Sequence, residues 1–524
     1  MASTRGACAP LAAAAFVFLV CVAAMVLYTT SFSLSTALLA VSGLRSDDVF
    51  TIPHALTTKS SGDSNVGGPL HTSVHTCRKP KLPPNPLPPF YCCPPASASL
   101  SEPINFTLPD PAEPLRVRRP VHAVGAEYMA KYERAIALMK ALPHTDPRSF
   151  YQMANIHCAY CTGSYRQTGN QELDMQIHFS WFFFPFHRAY LYFFERIAAK
   201  LLGEPDFALP FWSWDVPDGM RMPPEFANSS SPLYDPVRNP RHAPPSLVDL
   251  GFVGVESNRT DEQQIQHNLR TMYKQMIGNA ALPSLFHGQP FRAGQSDKPG
   301  PGTVELSPHN TVHTWTGDIA LTNVENMGTY YSAGRDPLFY PHHSNIDRLW
   351  QAWREVGAAR GYRGHVDFMD HDWLDSSFLF YDEESRLVRI TVCNVLDTEK
   401  LRYKFDGVGM PWVNARPPTT PNMSKKKALL KSVRIPLSLH KVVTVEHEKV
   451  KPSGRELAGS YMCLSNPRID GTGKGMPVET SMRVALNELL EDLDADGDDT
   501  VTVTLVPRHG KVKIRSLRIV YMVE

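Results

Sequence analysis

Two separated groups of histidines constrain this 524-residue chain more than any other feature of its sequence. The first group is His157, His178 and His187; the second is His309, His313 and the adjacent pair His342 and His343. Three neutral imidazoles per ion, without a thiolate pair, suit copper better than structural zinc and leave a position for a small exogenous ligand. The sequence therefore predicts a dinuclear metal centre for oxygen chemistry.

The spacing of the histidines predicts part of the local structure. His309 and His313 are four residues apart, so on a helix they project from one face and can bind one ion. His178 and His187 are nine residues apart, which at about 100° per residue places them on opposite sides of a continuous helix. We therefore expect a break between them, with Pro185 in the first turn of the helix that carries His187.

Asp347 follows His343 by four residues, where its carboxylate can accept the N–H of a liganding imidazole or pair with the neighbouring Arg348.

A single histidine in an aromatic stretch is more often a core residue than a ligand. The joint pattern of two three-histidine sets favours the metal centre.

Six stretches carry the histidines or lie between and after them: NIHCAYC, QIHFSWFFFPFHRAYLYFFERI, LPFWSWD, PHNTVHTWTG, NMGTYYSAGRDPLFYPHHSNIDRLWQAW and DHDWLDSSFLFYDE. They resemble the plant polyphenol oxidases, a family of catechol oxidases and tyrosinases with a type-3 dicopper centre. The resemblance extends from about Cys77 to the C-terminus.

The resemblance implies a role for each residue of the site. One copper is held by His157, His178 and His187, and the other by His309, His313 and His343. His342 then lies beside the ligands or faces the substrate; the sequence alone does not choose between His342 and His343 as the ligand. Glu305 and Asn310, with a water molecule, match the groups that take the proton of a monophenol. Tyr330 stands where catechol oxidases have a gate phenylalanine.

The resemblance also implies a mainly α fold with a helical-bundle dicopper domain at residues 77–415. A linker at 416–430, the expected cleavage region, precedes a β-sandwich-like shielding domain at 431–524. The alternation of LHKVVTVEH, TVTVTLVP and VKIRSLRIVYMV predicts the strands of this last domain. The family pattern implies a latent precursor that an activating protease converts.

Seven cysteines follow the N-terminal segment, and the proline-rich run from Cys77 to Cys93 reads as an arm stapled to the bundle. By resemblance, the disulfides are Cys77–Cys93 and Cys92–Cys158. Cys161 matches a cysteine that forms a thioether with the ring of His178. Cys393 and Cys463 either pair or stay free.

Residues 1–46 lack acidic side chains and contain an apolar run, which predicts a signal peptide or a signal-anchor that attaches the chain to a membrane. A polar linker at 47–76 follows. We expect the secretory pathway, with a vacuolar or extracellular destination; the family's usual location, the chloroplast thylakoid lumen, is the alternative. The formal net charge of +1 gives no electrostatic case for nucleic acid.

The function implied is oxidation of o-diphenols to o-quinones with reduction of O2 to water, with hydroxylation of monophenols as a further activity. Small phenols and O2 are then the substrates. A reversible oxygen carrier could use the same centre but must exclude phenols. A dinuclear hydrolase needs bridging carboxylates, and neither histidine group has one at ligand spacing.

Overall fold

Long helices surround the histidine groups in the computed structural model, which describes residues 67–95, 102–296, 299–418, 468–469, 475–476 and 480–492. All of these belong to one unit, Asn65–Glu524. The described α-helices are α1 (Gly125–Ala141), α2 (Phe150–Cys161), α3 (Phe183–Leu202), α4 (Asp261–Tyr273), α5 (Pro283–Phe286), α6 (Asn310–Thr316), α7 (Phe339–Arg360), α8 (His371–Leu374) and α9 (Asn487–Asp492).

Helix α3 is the centre of the bundle. It is buried along nearly its whole length, with only Arg196, Lys200 and Leu201 outside the core, as expected of a helix that is apolar on all sides. Helices α1 and α7 pack along it, and α2 packs against α1. The first histidine group and His343 therefore lie on or next to the most buried elements of the fold.

Local sequence signals define the ends of these helices. Ser149 accepts a hydrogen bond from the Gln152 amide at the start of α2, and Thr260 forms a capping box with Gln263 at the start of α4. Helices α3 and α7 end at Gly203 and Gly361, which adopt φ values of 73° and 70°. A left-handed residue of this kind closes a helix most easily when it is glycine.

Short strands tie distant parts of the chain to the bundle. They are β1 (Ile104–Asn105), β2 (Arg116–Arg118), β3 (Arg166–Gln167), β4 (Asn170–Asp174), β5 (Ser377–Tyr381), β6 (Leu387–Thr391), β7 (Tyr403–Phe405), β8 (Arg468–Ile469) and β9 (Gly475–Met476). One sheet has the order β1-β6-β5, with β1 parallel and β5 antiparallel to β6. Strand β2 pairs in parallel with β7, in the register Arg116 to Tyr403. The other pairs, β3–β4 and β8–β9, are antiparallel.

The mainly α fold class is confirmed, since helices dominate the body and the strands are short. The three strands predicted for the shielding domain lie outside the described residues. The segment 387–405 alternates in the manner of strands, and it forms β6 and β7 with a 3₁₀ turn at Val392–Val395 between them.

The predicted polar linker 47–76 needs correction at its C-terminal end. Leu70, Thr72 and Thr76 are buried, and the amide of Leu70 donates to Ser376 Oγ at 2.8 Å. The folded body therefore includes residues 70–76, although the polar composition of this segment did not indicate that it packs. Within the described ranges, none of the helices combines the length and the apolar character needed to span a bilayer. The predicted signal segment 1–46 lies outside these ranges.

Candidate dicopper centre

The first histidine group comes from two helices and the turn between them. His157 lies on α2, His187 on α3, and His178 in the turn that precedes α3. The predicted break is present, because α3 begins at Phe183 with Pro185 in its first turn, where the missing N–H costs nothing. The ligand atoms offered by these three residues lie within 4.8 Å of one another.

The second group is formed by α6 and the first turns of α7. His309 is the N-cap residue of α6 and His313 follows one turn later, with ring centroids 4.6 Å apart. His342 and His343 lie on α7, and the ligand atoms of all four residues are within 4.8 Å of one another. The Nε2 atoms of His313 and His343 approach to 3.2 Å, so both nitrogens face the same point.

Backbone carbonyls set the orientation of several rings. The Nδ1 atoms of His157, His187 and His313 bond to the carbonyl oxygens of Tyr330, Phe183 and Met327 at 2.8, 2.7 and 2.7 Å. A carbonyl oxygen can only accept, so each Nδ1 must carry the proton. Each Nε2 then keeps its lone pair, which is the form that binds a metal.

The two groups face each other in a buried, aromatic setting. The rings of His187 and His343 stack at 4.2 Å, and Phe339 lies 4.2 Å from His343 and 4.9 Å from His157. Burial lowers the pKa of His157 and of His313 to about 3. The imidazoles are therefore neutral at ordinary pH and ready to act as ligands.

The donor set fits copper. The Nε2 atoms of His157, His187 and His309 are buried and have no hydrogen-bond partner among the described residues. Unsatisfied buried nitrogens are costly, and a metal ion at each group would satisfy them. Neither group includes a carboxylate or a thiolate, and imidazole donors alone suit copper.

Glu305 lies beside the first group, in a segment that is not a regular α-helix. The segment Glu305–His309 is a π-type turn in which Ser307 is extended, with φ −158° and ψ 126°. Glu305 is fully buried, and its Oε1 accepts the amide of Phe179 at 2.8 Å. Phe179 has a φ of 62°, a left-handed conformation that costs on the order of 1–3 kcal/mol for a bulky residue. Glu305 therefore holds the strained backbone next to His178.

Tyr330 is buried, and its ring centroid lies 4.3 Å from that of His178. Its carbonyl is also the acceptor for His157 Nδ1, so it contacts two members of the first group. Asn310 is the buried first residue of α6, directly after His309. The structure thus brings Tyr330, Asn310 and Glu305 to the histidines, while their roles in turnover stay predictions.

The prediction for Asp347 is wrong about its partners. Its carboxylate accepts from Arg188 Nε at 2.5 Å, from Arg118 Nη1 at 2.8 Å and from the hydroxyl of Tyr403 at 2.6 Å. His343 Nδ1 has no hydrogen-bond partner among the described residues. The spacing placed Asp347 one turn after His343, but buried arginines from β2 and α3 take its oxygens. Arg348, the other expected partner, pairs with Asp215.

His342 has a partner that the sequence did not reveal. The indole Nε1 of Trp214 lies 3.1 Å from His342 Nδ1, and both side chains are buried. Trp214 belongs to the WSWD stretch, which follows α3 and lies far from α7 in sequence. The resemblance singled out this stretch, but nothing in its spacing pointed to a histidine.

The predicted disulfides Cys77–Cys93 and Cys92–Cys158 are both present, with Cα atoms 5.8 and 5.4 Å apart. The second bond attaches the arm to the residue after His157. Cys161 is buried at the end of α2, one turn after His157, and belongs to neither disulfide. Its thioether to His178 stays a prediction. Cys393 is disulfide-bonded, and Cys463 lies outside the described residues.

Comparisons with known proteins agree with this geometry. The model of the common central domain of tyrosinase matches residues 147–356, which contain all the histidines of both groups. The polyphenol oxidase middle domain matches 367–418, and the chloroplastic polyphenol oxidase C-terminal domain matches 437–521. A chloroplastic polyphenol oxidase of Vitis vinifera is 42% identical over 484 residues, which are 82% of this chain and 78% of that protein. The chain belongs to the plant polyphenol oxidase family.

Two further proteins are similar to this chain over most of its length. Aureusidin synthase of Antirrhinum majus is 40% identical, over 89% of this chain and 91% of that protein. The structure of latent apple tyrosinase matches with a TM-score of 0.70 and 42% identity, over 79% of this chain and 98% of that chain. As a member of the family, the chain is a copper oxidoreductase with a type-3 dicopper centre, and its relatives differ in the reactions for which they are named.

Proposed function

We propose that the chain oxidises o-diphenols to o-quinones, with two diphenols reducing one O2 to two molecules of water. The observation that carries the proposal is the pair of facing histidine groups, whose buried Nε2 atoms converge without any carboxylate ligand. Two copper ions held there would bind O2 and accept electrons from the phenol. The rival hydrolase lacks support, because it needs bridging carboxylates.

The side chains around the metals position the substrate and exclude water. The aromatic rings of Tyr330 and Phe339 lie against the first group and between the groups, and they offer an apolar face to a phenol ring. Glu305 accepts the amide of Phe179, next to His178, and is the residue to accept a proton from a monophenol. Hydroxylation of monophenols therefore depends on whether Glu305 has an oxygen available while it holds Phe179.

Oxygen uptake by the copper-loaded full chain with 4-methylcatechol and with p-cresol tests this function. Uptake with quinone formation from 4-methylcatechol supports the proposal, and uptake with p-cresol adds the monophenol activity. No uptake with either phenol, before and after proteolysis of the linker, would refute it. Glu305→Gln tests the role of this carboxylate, because it should lower p-cresol turnover more than 4-methylcatechol turnover.

The C-terminal part of the chain supports a latent form. Ser481 Oγ donates to the carbonyl of Pro299, and Gly300 donates its amide to the carbonyl of Phe179 at 2.8 Å. This places the segment 480–492 against the loop that supports the backbone next to His178. Tyr273 and Glu488 add a hydrogen bond at 3.2 Å.

We expect cleavage in 416–430 by an activating protease to raise catechol turnover. The cleaved protein and the full chain are compared at equal copper content. Equal turnover would show that the C-terminal part does not restrict access. Ser481→Ala in the full chain should raise turnover in the same direction, because it weakens contact with the Pro299 loop.

The location in the cell needs a direct test. The Vitis relative is named chloroplastic, which favours the chloroplast over the secretory route that the N-terminal segment predicts. A fluorescent reporter fused behind residues 1–60 decides between the two. Import into chloroplasts supports the family location, and labelling of the endoplasmic reticulum supports the secretory route.

A further inference from the structure

His342 and His343 are neighbours on α7, and both offer a ring nitrogen to the second histidine group. Both are fully buried, and the ring of His342 lies 4.7 Å from that of His313 and 5.4 Å from that of His309. Four histidines thus surround a position where three suffice for an open copper site. Some feature of the fold must decide which of them does not bind the metal.

The contact between Trp214 and His342 supplies that feature. An indole N–H can only donate, so His342 Nδ1 at 3.1 Å from it must accept. A protonated imidazolium has a donor at both nitrogens and could not make this bond. The ring is therefore neutral with its hydrogen on Nε2. An Nε2 that carries a hydrogen has no lone pair for a metal.

The neighbouring histidines have the opposite arrangement. His313 Nδ1 donates to the carbonyl of Met327 at 2.7 Å, and His309 Nδ1 donates to the carbonyl of Glu305 at 3.2 Å. Both rings therefore keep the Nε2 lone pair. In the second group, Nδ1 of His309 and of His313 donates a hydrogen bond, whereas Nδ1 of His342 accepts its described hydrogen bond.

Trp214 is held firmly enough to impose this choice. The carboxylate of Asp215, the next residue, accepts from Asn345 Nδ2 at 2.9 Å, from Trp412 Nε1 at 2.9 Å and from Arg348 Nη2 at 2.5 Å. Asn345 and Arg348 lie on α7, two and five residues after His343. The indole is thus fixed to the same helix that presents His342.

We propose that Trp214 is a positioning residue that holds His342 in the Nε2–H tautomer, so that His343 and not His342 binds the second metal. The Nε2–H of His342 then faces the other histidines of the second group as a hydrogen-bond donor. This inference rests on the dicopper centre but is independent of which phenol is oxidised.

The decisive experiment measures copper per chain in variants of the full-length protein. His343→Ala should lose the second ion and retain about one copper per chain. Adding Trp214→Phe removes the indole N–H, which lets His342 move its hydrogen to Nδ1 and bind through Nε2. The double variant should therefore return to about two coppers per chain. A purely structural role for Trp214 would make the double variant bind copper worse, not better.

Matched controls distinguish an effect on the His342 tautomer from an effect of altered packing. Trp212→Phe removes a similar volume from the same stretch, but the described hydrogen bonds of the Trp212 indole go to the carbonyls of Gly219 and Arg221. Combined with His343→Ala, it should stay at about one copper. Adding His342→Ala to the rescued variant should abolish the rescue. Two coppers in His343→Ala alone, or no rescue by Trp214→Phe, overturns the proposal.

A measurement on the unsubstituted apoprotein covers the case in which Trp214→Phe does not fold. Histidine labelled with ¹⁵N reports which ring nitrogen carries the hydrogen, and the His342 signals are those missing from His342→Gln. The proposal requires a protonated Nε2 and a bare Nδ1. The reverse pattern overturns it, whatever the enzyme does with phenols.

Discussion

Replacing Asp347 by asparagine should strongly destabilise the bundle. Asp347 and its partners Arg118 and Arg188 have side chains at most 1% exposed. Asparagine keeps the shape but removes the charge, so two buried guanidinium groups lose a shared carboxylate. Breaking a buried pair in this way costs about 3–5 kcal/mol. Glu195 still compensates Arg118 through its 2.7 Å contact, whereas Arg188 has no other carboxylate among its described ion pairs.

The Asp347→Asn substitution should also affect the metal centre. Arg188 follows His187 on α3, and Asp347 lies one turn after His343 on α7, so their 2.5 Å contact joins the helices that carry both histidine groups. We expect Asp347→Asn to release copper to a chelator faster than the unsubstituted chain does. Tyr403→Phe removes a single hydrogen bond to the same carboxylate and should cost about 1.5–3 kcal/mol.

Urea unfolding of the apoprotein, followed by tryptophan fluorescence, measures these changes. Glu384→Gln is the matched control, because its ion pair with Lys200 is half exposed and its loss should leave the unfolding midpoint unchanged. A loss below about 1 kcal/mol for Asp347→Asn would refute the reasoning, since it would mean that the arginines do not need this carboxylate.

Three further outcomes are expected. Burial and the neighbouring Asp336 raise the pKa of Asp235 to about 6, so its contribution to stability is present below about pH 4 and is lost as the pH rises through 6. Asp235→Asn should remove up to about 3 kcal/mol of this pH dependence, measured as unfolding midpoints from pH 4 to 7; an unchanged slope contradicts the shift. Replacing Cys92 and Cys158 by serine should cost about 2–5 kcal/mol and release the arm to limited proteolysis, and resistance equal to that of the unsubstituted chain would contradict this. Tyr330→Phe should change the relative turnover of catechols with polar tails but not stability, and an identical substrate profile removes that role.

The histidine centre could be predicted because its signals are local. The i,i+4 pair His309 and His313 and the proline in the first turn of α3 are properties of short segments, and the structure has both. The resemblance pointed to Glu305, which lies beside the first group. Its local conformation could not be predicted, because Ser307 is extended and Glu305 reaches Phe179 through a π-type turn.

The errors concern partners that come from distant parts of the chain. Asp347 has the right spacing for His343, yet Arg118 and Tyr403 reach it through the parallel pairing of β2 with β7. Trp214 reaches His342 in the same way, from a segment with no periodic pattern. Helical spacing predicts the face on which a side chain lies. Tertiary packing determines which groups bond to its polar atoms.

Anomalous X-ray diffraction at the copper edge, from crystals of the copper-loaded full chain, tests the central claim most directly. We predict two copper peaks, one among His157, His178 and His187 and the other among His309, His313 and His343, with Nε2 as the ligand atom where Nδ1 bonds to a carbonyl. A single peak, or a peak bound by His342 in place of His343, would contradict the account.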